Sequence, residues 1–118
     1  MLHYSPYSRD EIVLDKDYQF VEVTTNKIIT VPKGFVSDGA SIPRLLWVVL
    51  GSPFSPKLIR AAIQHHYLIA IGFSGDARDL QFYTTLRKYG VKTWKAYVMY
   101  LGVRYWRKLK NLFTNKGD

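Results

Sequence analysis

Apolar and polar positions change rhythm along this chain. Between Tyr18 and Thr30 the run Tyr-Gln-Phe-Val-Glu-Val-Thr-Thr-Asn-Lys-Ile-Ile-Thr is rich in β-branched and aromatic residues and is broken at Thr25-Asn26, where a turn fits. This pattern predicts a β-hairpin. Glu11 to Leu14 is expected to add an edge strand, and Val31-Pro32-Lys33-Gly34 to close the sheet portion, because proline removes a ladder donor. The spacing then becomes helical. Ile42-Pro43-Arg44 opens a short helix to about Leu50, ended by Gly51-Ser52-Pro53. Ser55-Pro56 starts a second that runs to about Ile71, before Gly72. A third begins near Ser74-Gly75-Asp76 and stops at Gly90, whose missing side chain suits a left-handed cap. The fourth spans roughly Val91 to Phe113. Strands first and helices afterwards predict an α+β fold, a small antiparallel β-sheet (the N-terminal hairpin) packed against a layer of about four helices. Residues 1–113 are expected to form a single domain, with 114–118 a flexible C-terminal tail.

Several polar residues sit against this pattern. In the second helix Lys57, Arg60, Gln64 and Tyr67 fall three and four apart, which predicts one polar stripe facing water. His65 and His66 both project away from that stripe, onto apolar faces shared with Leu58, Ala61, Ala62, Ile59, Ile63 and Ile69. Their directions differ by about 100°, so the two rings are poorly placed to hold one ion together. In the third helix Asp79 lies on the side of Phe82, Tyr83 and Leu86, where a carboxylate needs a partner; an arginine or the helix dipole would serve. Asp76 is expected to be an N-terminal cap or an exposed first-turn acid, outside any site.

The chain has no cysteine, which excludes disulfides, thiolate zinc sites and a cysteine nucleophile. Chemistry therefore falls to His, Asp, Glu and hydroxyl side chains. The segment from Gly34 to Arg44 links sheet to helix with small residues: Gly39 permits a positive φ, Ser41 is placed to cap the next helix, and Asp38 to form an Asx-turn. Asp38, His65 and Asp79 together supply two oxygen donors and one imidazole, a set suited to a divalent metal or to proton transfer. The catalytic candidates are accordingly Asp38, His65, Asp79 and Ser41, with Arg44 to hold an anionic group of the substrate. The candidate metal ligands are Asp38, His65, His66 and Asp79; Zn²⁺ suits such a mixed shell and would acidify a bound water. A small hydrolase is one expectation.

Charge supports a second. The 118 residues carry 17 Lys+Arg against 9 Asp+Glu, a formal net charge of +8, concentrated after residue 30. The fourth helix interleaves Lys92, Lys95, Arg104, Arg107, Lys108 and Lys110 with Trp94, Tyr97, Tyr100, Tyr105 and Trp106. Cations to neutralise phosphates and rings to stack on bases would bind nucleic acid; an anionic membrane surface or an acidic host protein are the other partners of such a helix. Trp94, Val98, Leu101, Tyr105 and Leu109 also repeat at helical spacing and are expected in the core, leaving the cations as a solvated face. The N-terminus has no basic region followed by an apolar run, and no apolar stretch reaches the roughly 20 residues of a membrane span, so neither a secretory signal nor a transmembrane segment is expected.

Three segments carry a resemblance: Val31 to Arg44 (Val-Pro-Lys-Gly-Phe-Val-Ser-Asp-Gly-Ala-Ser-Ile-Pro-Arg), Ala61 to Leu68 (Ala-Ala-Ile-Gln-His-His-Tyr-Leu) and Asp79 to Phe82 (Asp-Leu-Gln-Phe). With Met99-Tyr100 and Val103-Arg104, the chain resembles the small proteins of phages and prophages grouped as domain of unknown function 1353. The resemblance implies a Thr or Ser before Asp38, a His-Asp pair in the first long helix and an Ala-Asp pair in the next. Here His66 stands in place of the second acid, and Arg78 in place of the alanine. An imidazole does not supply the same negative charge to a cation. The resemblance also implies a phage setting, in the host cytoplasm or the virion. A cell-wall or phosphate-containing substrate would fit an enzyme there; a virion component or host-interaction protein would use the buried His and Asp groups only to lock its fold.

Overall fold

The computed structural model describes residues 2–8, 11–37, 46–48 and 54–114. Five strands precede the helices: β1 (Tyr4–Ser8), β2 (Glu11–Leu14), β3 (Tyr18–Val21), β4 (Ile28–Val31) and β5 (Val36–Ser37). After a helical turn at residues 46–48 come α1 (Ile59–Ala70), α2 (Gly75–Lys88) and α3 (Thr93–Thr114). The class is α+β, as the order of apolar rhythms predicts.

The predicted hairpin forms from β3 and β4, with Tyr18 opposite Val31 and Val21 opposite Ile28. Its turn holds Asn26 at φ +59, a left-handed conformation that asparagine tolerates better than most residues. Glu22 fastens this turn. Its buried carboxylate accepts from the amides and hydroxyls of Thr24 and Thr25 at 2.7 to 3.0 Å. Burial pushes the Glu22 carboxyl upward, but those hydrogen bonds outweigh it and hold it below the ordinary value.

The hairpin is a separate two-stranded sheet, and a second sheet of order β1-β2-β5 accompanies it. Glu11–Leu14, expected at an edge, is therefore the middle strand, with Tyr4 opposite Leu14 on one side and Ser37 opposite Ile12 on the other. Two features concealed this. The edge strand β1 contains Pro6, tolerated only because an edge leaves one row of donors unused, and its register shifts between Pro6 and Ser8. In addition, the chain rejoins the sheet as β5 after Pro32, beyond the point where the pattern ends it.

Helix ends follow the local chemistry. Ser74 caps α2 by accepting from the Ala77 amide at 3.3 Å, leaving Asp76 exposed in the first turn. At its other end Gly90 takes φ +91, and the amides of Gly90 and Val91 return to the carbonyls of Arg87 and Leu86 at 3.2 and 3.0 Å, a Schellman motif. The helix α1 separates two apolar clusters. Its Ile59, Ile63 and Leu68 meet Ile12, Leu14, Tyr18, Phe20 and Val31 of the strands. Its Ala61 and Ala62 meet Phe82, Leu86, Ala96, Met99 and Val103 of the other helices. Each large side chain buried this way contributes roughly 1.5–3 kcal/mol. A helix covered on two sides has little solvated surface, and its polar residues are forced toward partners.

Candidate functional site

Gln64, His65 and His66 occupy three consecutive positions of α1 and so point in three directions about 100° apart. Each finds a different partner.

His65 is 3% exposed, and its Nε2 lies 3.0 Å from Oδ1 of Asp79 on α2. Asp79 has no exposure, and its Oδ2 accepts from Nη2 of Arg107 on α3 at 3.0 Å. One carboxylate thus ties three helices together. Gly75, at the start of α2, lies against the Arg107 guanidinium, where a Cβ would collide with it. Burial alone would raise the carboxyl pKa of Asp79, but the hydrogen bonds from His65 and Arg107 prevail and hold it below the ordinary value. Burial pushes the His65 imidazole down, only partly opposed by Asp79. At neutral pH the site is therefore a carboxylate, a guanidinium and a neutral imidazole. An ionised carboxylate can only accept, so Nε2 of His65 carries the proton and Nδ1 keeps the lone pair.

His66 is half-buried and turns toward the sheet, its Nδ1 3.0 Å from the hydroxyl of Ser37 in β5 and its ring edge-on to Phe35 at 5.2 Å. The two imidazoles diverge, as their spacing predicts. Ser37 is also the residue that leads into Asp38. Asp38, Ser41 and Arg44 lie outside the described residues, as does the helix start expected at Ile42. Among the described residues no group of three His, Cys, Asp or Glu side chains is placed to hold a metal ion.

Gln64, expected on a stripe facing water, is 3% exposed. Its Nε2 donates to the Tyr18 hydroxyl at 2.9 Å, and its Oε1 accepts from Gln81 Nε2 at 2.9 Å and Thr85 Oγ1 at 2.5 Å. Gln81 extends the network to the hairpin, donating to the Val21 carbonyl at 3.2 Å and accepting from the Val23 amide at 2.8 Å. Burial raises the Tyr18 phenol, which stays neutral. These amides fill one another's valences, which makes their burial affordable in an apolar surrounding.

Two expectations for the last helix are corrected. Arg107, expected among the cations that would bind nucleic acid, is 8% exposed and bonded to Asp79. It continues the buried face of α3, where Met99, Val103 and Arg107 follow at intervals of four. The stripe expected in the core is instead the outer face: Trp94 is 59% exposed and Tyr105 62%, and Val98 and Leu109 are also exposed, while Ala96, Met99 and Val103 are buried.

Comparison with known proteins identifies one family. The profile described as "Protein of unknown function (DUF1353)" matches residues 12–103, from β2 into α3 and including every residue of the His65–Asp79 contact. An "Uncharacterized protein y4jT" of Sinorhizobium fredii is 40% identical over 75 residues, covering 62% of this chain and 22% of that protein. The chain thus spans about a fifth of the length of this curated relative. No solved structure matches the chain. Since the family match takes in most of the sequence, with His65 and Asp79 though not Arg107, the chain belongs to the DUF1353 family.

Proposed function

We propose that the chain is a small hydrolytic domain in which His65 moves a proton for an attacking water, with Asp79 and Arg107 fixing its tautomer. The carrying observation is the 3.0 Å contact between His65 and Asp79, whose other oxygen accepts from Arg107, because a buried carboxylate behind an imidazole fixes the tautomer that a general base needs. In this reading Asp38, Ser41 and Arg44 engage the substrate while His65 acts as a base already oriented by a carboxylate, as general-base catalysis needs. Asp79 suits a place behind the imidazole more than a place in a cation's shell, since Arg107 and His65 take its two oxygens and the guanidinium repels a cation. A divalent ion such as Zn²⁺ would draw on Asp38 and a histidine, and would supply an acidified water. The phage or prophage setting belongs to this proposal, with a cell-wall or phosphate-containing substrate.

The test is hydrolysis of purified peptidoglycan and of aryl phosphate esters by protein made without a histidine tag, with metal content measured in parallel. His65→Gln and Asp79→Asn should each lower turnover by roughly 10²-fold or more while the circular dichroism spectrum is retained. Full activity in both variants contradicts the reading. A competing reading, a non-catalytic virion or host-interaction protein, is favoured by the complete burial of Asp79. It predicts no turnover by the unaltered chain and a lowered unfolding midpoint in both variants.

A further inference from the structure

We infer that the outer ridge of α3 docks onto an anionic lipid surface. Trp94, Val98, Leu101, Tyr105, Leu109 and Leu112 follow at intervals of three and four, so they form one line along the helix. All but the half-buried Leu101 are exposed, Leu112 by 77%. The line is about 27 Å long at 1.5 Å per residue. An apolar ridge of this length on the surface marks an interaction site, because scattered single residues would need no explanation but a continuous row does.

Charge selects the occupant. From Val91 to Thr114 the sequence contains no Asp or Glu, while Lys108 flanks the ridge on one side and Lys95 on the other. Exposed Tyr97 and Trp106 lie just outside these cations, one on each side of the ridge. At the N-terminal end of the ridge opens a cavity of about 490 Å³ whose lining includes Lys57, Lys92, Lys95 and Trp94 and no acidic residue. An apolar centre with cationic and aromatic residues along both margins matches a bilayer surface, where acyl chains lie beneath an interface of anionic headgroups. A second copy of the chain would bring like charges together along the whole seam. A nucleic acid would set its phosphates against the aliphatic centre rather than against the lysines. Among the described residues no helix is long and apolar enough to cross a membrane, so the contact is one of lying on the surface.

The experiment is co-sedimentation of the intact chain with vesicles of phosphatidylglycerol and phosphatidylcholine against vesicles of phosphatidylcholine alone, at two salt concentrations. Binding should be at least tenfold tighter to the anionic vesicles and fall with salt. Leu109→Glu and Leu112→Glu, at exposed positions, should each weaken it at least tenfold with the circular dichroism unchanged. Lys95→Gln, which leaves the ridge intact, should weaken it about fivefold. No sedimentation with anionic vesicles overturns the proposal, and so does equal binding to both compositions. Retention on duplex DNA, or a dimer in sedimentation equilibrium, abolished by the same two glutamate variants while lipid binding persists, also overturns it.

Discussion

His65 is a histidine whose neutrality is built by its surroundings. Its imidazole pKa is lowered from 6.5 because burial disfavours the charged ring more than Asp79 favours it. Below 6.5 the unfolded chain therefore takes up a proton that the folded chain refuses. The stability that depends on His65 is whole above that value and is lost as the pH falls toward the depressed one. Asp79 acts lower: its carboxyl is held below 3.8, so the stability it contributes persists above that value and goes only as the pH drops through the folded one. The window from pH 7 to 5 consequently belongs to histidine. Urea unfolding across this window should show stability falling with acidification, by at most about 1.4 kcal/mol per pH unit for one proton. The fall should shrink in His65→Gln, and a pH dependence unchanged by that substitution would show that this residue is not its source. The residue's partner was half legible. A carboxylate on the apolar side of a helix announces that it needs a cation, whereas the identity of Arg107, 28 positions away, emerges only once α2 and α3 pack.

At the scale of elements, buried polar contacts accompany the apolar ones between the hairpin and the helices, and this explains why the sequence misleads there. The spacing of Lys57, Arg60, Gln64 and Tyr67 looks like a solvated stripe, but Gln64 meets Tyr18 from 46 positions earlier and Gln81 and Thr85 from α2. Periodicity reports the direction of a side chain and is silent about a polar partner arriving from another element. The misplaced face of α3 has a related cause. That helix carries two apolar stripes, and the one with smaller residues, Ala96, Met99 and Val103, is buried because it lets neighbouring helices approach. Gln81 is the clamp between layers, so Gln81→Ala should free the Val21 carbonyl and the Val23 amide and lower stability by roughly 1–3 kcal/mol. Amide hydrogen exchange at Val23 should rise well beyond that at the buried end of β3. Unchanged protection at Val23 would mean that the hairpin is held by its apolar face alone.

The molecule as a whole divides its charge and its chemistry between two regions. Five of the nine acids lie in the first 30 residues and 14 of the 17 cations after them, and the order of segments alone conveyed the α+β class, the hairpin and the three long helices. The sequence also pointed to His65 and Asp79, since polar groups on apolar faces stand out against the periodicity, and the fold brings these two to 3.0 Å. Across the packed helices, Arg107 holds Asp79 ionised and Asp79 holds His65 in one tautomer; both the locking of the helices and the proposed catalysis depend on that chain of contacts. Long-range ¹H–¹⁵N correlation of the histidine rings tests it most directly. The account predicts that His65 carries its proton on Nε2 and takes up a second proton only below pH 6.5; a proton on Nδ1, or a titration centred at or above 6.5, would contradict it.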